Sequence, residues 1–154
     1  MKKILLATLI TAFLLGSGCT KKSDAPPAVT SANPQADTGI MGTIELAPLL
    51  ERNPISKDAV IYLIARNPGE TMGPPIAVKR IVQPFHFPIT FTLSKADAML
   101  PDAPFVGPFA LTVRIAQSGS ATPAQAGDLE GEVPTGPVEL GKKDVALRIA
   151  KVRP

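Results

Sequence analysis

From Phe109 to Ala116 the side chains alternate without a miss. Phe109, Leu111, Val113 and Ile115 fall on one side, and Ala110, Thr112, Arg114 and Ala116 on the other. Successive residues of a strand point to opposite faces, so period-two alternation marks a strand with one face in a core. The pattern returns at 145–152, where Val145, Leu147 and Ile149 oppose Ala146, Arg148 and Ala150, and at 89–93, where Ile89, Phe91 and Leu93 oppose Thr90 and Thr92. Residues 59–65 are apolar on both faces, as in a central strand. Further strands are expected at 41–46 and 76–82, a weaker one at 130–133 and a short edge piece at 138–140. Asn67-Pro68-Gly69, Gly73-Pro74-Pro75, Pro101-Asp102, Ser118-Gly119 and Pro134-Thr135-Gly136 supply turns between them. Single helical turns fit 48–52 and 95–100, the second capped by Ser94. No long amphipathic helix is present. About seven short strands over roughly 115 residues predict an all-β, Ig-like β-sandwich.

Upstream of the strands the texture differs. Lys2 and Lys3 precede an unbroken apolar run at 4–15, then Gly16, Ser17, Gly18 and Cys19. That order is the layout of a secretory signal, with an apolar run too short for a stable span. The Cys after small residues looks like a bacterial lipobox, although Leu15 stands one position further from the Cys than that motif prefers, with Gly16 in its place. The resemblance implies cleavage before Cys19 and fatty acylation there, which anchors a protein without a transmembrane helix. The alternatives are a plain signal peptide, or an anchor helix with an incidental cysteine. The position of the sole Cys favours lipidation. Thr20 stands where such lipoproteins carry Asp for inner-membrane retention, so the periplasmic face of the outer membrane is the expected address. Residues 20–38 are rich in Pro, Ala, Ser and Thr, with Val29 as the one large aliphatic residue. Such a stretch cannot offset its ordering entropy and reads as a flexible tether. The expected organisation is therefore a signal peptide at 1–18, the lipidated Cys and linker at 19–38, and the β-domain at 39–154.

Charge and composition remove several function classes. Without Lys2 and Lys3 the Lys+Arg total of 16 falls to 14, against 13 Asp+Glu, so the expected mature chain is nearly neutral. A nucleic-acid partner would call for a basic stripe and is not expected. One Cys excludes a disulfide framework and a multi-cysteine zinc site, and one His excludes a multi-histidine centre. There is no G-x-S-x-G elbow, and no Ser/His/Asp signature surrounds His86. The expectation is a non-enzyme without a cofactor or metal.

The remaining polar features each admit a structural and a functional account. His86, between Phe85 and Phe87, could ligate copper or haem with help from Met72 or Met99, but a stable site normally needs several convergent ligands. The alternative is a histidine in a proline-bounded strand entry. Lys79 and Arg80, with Arg66 and Arg114, could form a basic patch for a carboxylate or a haem propionate. Strand parity separates Lys79 from Arg80, and one of the two is expected to pair with an acid or sit near an edge. Asp128, Glu130 and Glu132 would share a strand face as a weak calcium edge or, more simply, a solvated edge strand. The long connection from Ser118 to Leu129 lacks the helix and lysine of a phosphate loop, so Asp128 is expected to bond local backbone.

Taken together, GTIELAP at 42–48, AVIYLIAR at 59–66, PPIAVKRI at 74–81, FPITFTLSKADAMLP at 87–101 and VRIAQSGSATPAQAGDLEG at 113–131 resemble a known domain. It is the C-terminal periplasmic Ig-like domain of CycH-type cytochrome c biogenesis proteins. The most specific pieces are Pro75, Ala77, Val78, Lys79 and Arg80, and the run containing Ser118, Gly119, Ala121, Thr122, Pro123, Gly127, Asp128 and Leu129. The resemblance implies an Ig-like fold, export, and binding of apocytochrome c or cytochrome maturation proteins. The family's usual tetratricopeptide repeats and transmembrane helices are not in this sequence, and the expected lipid anchor stands in their place. Lys79, Arg80, Ser118, Gly119, Thr122, Pro123, Gly127 and Asp128 are the expected partner-binding residues. A client could be gripped by a strand edge or by the 118–129 loop surface. A copper or haem carrier, and a structural envelope lipoprotein without a cytochrome link, remain the competing accounts.

Overall fold

The computed structural model describes residues 38–154. The expected signal peptide, Cys19 and nearly all of the tether lie outside the described residues. Seven strands follow: β1 (Ile40–Leu46), β2 (Val60–Arg66), β3 (Ala77–Val82), β4 (Ile89–Leu93), β5 (Ala110–Ala116), β6 (Leu129–Glu132) and β7 (Val145–Val152). Two short 3-10 turns, Pro48–Leu50 and Lys95–Asp97, are shorter than the helical turns expected at those places. The 138–140 piece is not a strand. Val138 makes an isolated bridge to Phe109, and Pro137 and Gly141 on either side stop the ladder from growing.

Hydrogen bonding runs through one continuous sheet in the order β3-β2-β5-β6-β7-β1-β4. All pairs are antiparallel except β1 with β7. The sheet folds over a common core. Ile40 and Ile44, Ile61 and Leu63, Phe91 and Leu93, Val113 and Ile115, Leu129, and Leu147 and Ile149 meet in a single cluster. The sandwich is thus one bent sheet rather than two separate ones. Phe105 and Phe109 stack at 4.8 Å between ring centres in the same core. Burying each large apolar side chain contributes about 1.5–3 kcal/mol, which is why the alternation dictates which face turns inward.

Strand β2 is apolar on both faces because both are covered. Ile61, Leu63 and Ala65 enter the main core, while Val60 and Tyr62 join Ala116 in a smaller cluster on the outer face. The strand register divides the loops between two ends. Ile40 pairs with Leu93, Arg66 with Ala110, and Gly42 with Val145. The chain therefore enters the domain at the end that carries loops 67–76, 94–109 and 133–144. Loops 47–59, 83–88 and 117–128 lie at the far end.

Candidate partner-binding surfaces

At the far end the loops are tied together by side-chain amides. Gln117 Nε2 donates to the Pro54 carbonyl at 3.1 Å, and its Oε1 accepts the Ser56 amide at 2.8 Å. Gln83 Nε2 donates to the Ser56 carbonyl at 3.3 Å. Three loops distant in sequence thus form one surface. Its most elaborate part is the loop at 117–128.

Asp128 organises that loop. Its side chain is 1% exposed. Oδ1 accepts the Gln117 amide and Oδ2 the Gln125 amide, both at 3.0 Å. Arg114 Nε lies 3.7 Å from Oδ2, and Arg114 Nη2 donates to the Ala121 carbonyl. A buried carboxylate needs this many donors to offset its lost hydration. The expectation that Asp128 bonds local backbone therefore holds, and its burial removes it from direct partner contact. Gly119 is also structural. Its φ is +77°, and its carbonyl accepts the Tyr62 hydroxyl at 2.8 Å. Of the expected partner-binding residues in the run, Ser118, Thr122, Pro123 and Gly127 are exposed. The Gly127 amide is held by the Arg153 carbonyl at 2.9 Å, so the loop presents its exposed residues from a fixed backbone.

Lys79 and Arg80 do not share a site. Lys79 follows the inward parity of Ala77 and Ile81, and its Nζ pairs with Asp97 Oδ1 at 3.1 Å. Asp97 Oδ2 in turn accepts the Ser94 amide at 2.9 Å, within a capping box on the 3-10 turn. Arg80 is exposed on the outer face, opposite Tyr62 in the register. Arg66 and Arg114 also face outward, but Arg114 is committed to Asp128 and Ala121. The four cations are therefore not one basic patch.

Glu130 and Glu132 are likewise engaged. Glu130 pairs with Arg153 at 2.7 Å and Glu132 with Lys151 at 3.2 Å. Strand β6 is not an edge strand, because it pairs with β5 on one side and β7 on the other. The three acids thus form neither a calcium edge nor a solvated sheet edge. Among the described residues, no group of three His, Cys, Asp or Glu side chains converges on a metal position.

His86 is exposed in the 83–88 loop and lines a groove of about 420 Å³ with Phe85, Phe87 and Glu51. Met72 and Met99 are at the opposite end of the domain. The Met99 amide bonds the Ile76 carbonyl just before β3, whereas His86 follows the end of β3. The length of β3, roughly 20 Å, separates them. The expected combination of His86 with Met72 or Met99 around one metal is excluded by that distance.

The sheet has two free edges, β3 and β4, and both line a groove of about 680 Å³. No local sequence signal marks β4 as an edge, because Ile89–Leu93 carries none of the charges usually found on one.

A family model described as "Cytochrome c-type biogenesis protein H Ig-like domain" matches residues 40–150. The match begins with β1 and ends within β7, so it spans all seven strands. No curated protein matches the chain, and no solved structure does.

Proposed function

The chain belongs to the family of cytochrome c-type biogenesis protein H Ig-like domains, and from that premise we propose that it is an exported, lipid-anchored protein-binding module in c-type cytochrome assembly. The observation that carries this reading is the family match across the whole β-domain. Its clients are apocytochrome c or proteins of the maturation machinery. The role is binding rather than catalysis. Acylated Cys19 holds the protein at the periplasmic face of the outer membrane, and the linker gives the domain reach. The far-end loops fit this arrangement, because they face away from the end at which the chain enters the domain. An unfolded client suits a β-domain, since main-chain pairing tolerates variety of sequence.

Affinity capture with the full-length protein tests the reading. Apocytochrome c or haem-lyase components should be enriched over the level retained by an unrelated lipoprotein, and equal retention overturns it. The anchor is tested separately. Globomycin, or the change Cys19→Ala, should move the protein out of the outer-membrane fraction. Unchanged fractionation contradicts lipidation.

A further inference from the structure

Strand β4 is an edge whose free side is chemically specific. On β1, the Met41 amide bonds the Lys142 carbonyl and the Ala47 amide bonds the Ile149 carbonyl, so the odd-numbered residues turn toward β7. Strand alternation then directs Ile40, Gly42 and Ile44 toward β4, opposite Leu93, Phe91 and Ile89. Thr90 and Thr92 are left with their N–H and C=O groups pointing away from β1. Among the described residues, neither backbone bonds a loop or turn. Edges are normally guarded by charge, proline or a bulge. β4 has none of these within Ile89–Leu93. β3, the other edge, carries Lys79 and Arg80 at its centre.

The two edges face one groove. Lys79 and Ile81 of β3 line it together with Thr90, Phe91 and Thr92 of β4. At one end the chain already closes the seam. Ala98, just beyond β4, bridges Ala77, and the Met99 amide bonds the Ile76 carbonyl at 2.9 Å. Further along β3 no such pairing occurs, so the ladder is begun and then left open.

We infer that this seam accepts one extended segment of a second polypeptide, which pairs with the outward Thr90 and Thr92 backbone of β4. The occupant is a bare chain rather than another folded sheet, because β3 forms the opposite wall of the groove. Alternate apolar side chains of the segment would lie over Phe91 and half-buried Ile81, extending the core. Main-chain pairing supplies affinity and the alternate side-chain positions supply selectivity. Identification of that segment with an unfolded cytochrome rests on the proposed function above, but the seam itself does not.

The test is amide hydrogen exchange on the full-length protein in detergent, with two probes: apocytochrome c, and a reduced, alkylated protein of similar length unrelated to cytochromes. Binding should slow exchange at Thr90 and Thr92. Thr90→Pro and Thr92→Pro each delete one outward donor and should weaken binding several-fold singly and about tenfold together. The Thr90→Lys, Thr92→Lys pair guards the edge through exposed side chains, and should weaken binding while leaving the thermal midpoint unchanged. Tight binding with no protection at 89–93, or protection confined to 117–128, overturns the seam and leaves the functional reading standing. Equal binding of both probes with protection at Thr90 and Thr92 upholds the seam and removes the cytochrome specificity. Protection at 89–93 that rises with protein concentration, without a probe, assigns the edge to a second copy and overturns the inference.

Discussion

At the scale of single residues, the loop that looked most like a contact surface is held by two residues that serve the fold. Asp128 accepts two backbone amides from within a nearly solvent-free position. Asp128→Ala leaves the Gln117 and Gln125 amides without their acceptor and removes the counter-charge beside Arg114. It should cost about 3 kcal/mol of stability, read as a lower denaturant midpoint. Ser118→Ala, on an exposed position of the same loop, should stay within about 0.5 kcal/mol. Gly119 offers a second check. At φ +77° an added methyl is strained, and it would stand 2.6 Å from the Asp58 carbonyl oxygen. Gly119→Ala should therefore destabilise by about 1–3 kcal/mol. Local bonding by Asp128 was legible, because an Asx turn is a short-range event. Its pairing with Arg114 was not, since which strand residue lies beneath a loop depends on how the loop folds back. For the same reason His86 and the methionines could be placed on a common site only until β3 was seen to separate them.

At the scale of elements, alternation located β4, β5 and β7 nearly to the residue, because burial of one face leaves a period-two record. The two apolar faces of β2 also announced a central strand, and β2 does lie between β3 and β5. Edge status was less legible. Glu130 and Glu132 made β6 look like an edge, yet an interior strand with a polar outer face carries the same pattern. Whether a strand with one polar face has a neighbour on each side is a property of the sheet order, which that face does not reveal. The Lys95–Asp97 turn shows how an element serves its surroundings. Asp97 completes the capping box and neutralises Lys79 beside the seam. Asp97→Ala should cost about 1 kcal/mol, with the ion-pair share small because Lys79 is one-third exposed. A loss above about 3 kcal/mol in thermal or denaturant unfolding would show that the turn also supports the core.

At the scale of the molecule, a single sheet bent over one core leaves three features open to partners: the far-end loops, the outer face, and the seam where β3 and β4 fail to meet. The outer face is occupied by its own ion pairs, Glu130 with Arg153 and Glu132 with Lys151. These exposed pairs contribute little to stability, and Arg66 and Arg80 on the same face belong to no ion pair among the described residues. The far-end loops and the unguarded β4 edge are the surfaces on which the proposed client chain is expected. The seam favours an unfolded client, since backbone pairing requires an extended segment and a folded cytochrome offers few. The most direct measurement is a fluorescence anisotropy titration of full-length protein against labelled apocytochrome c and against the same cytochrome after haem attachment and folding. The account predicts saturable binding of the apo form and at least tenfold weaker binding of the folded form. Equal affinity for the two, or no binding of either, would contradict it.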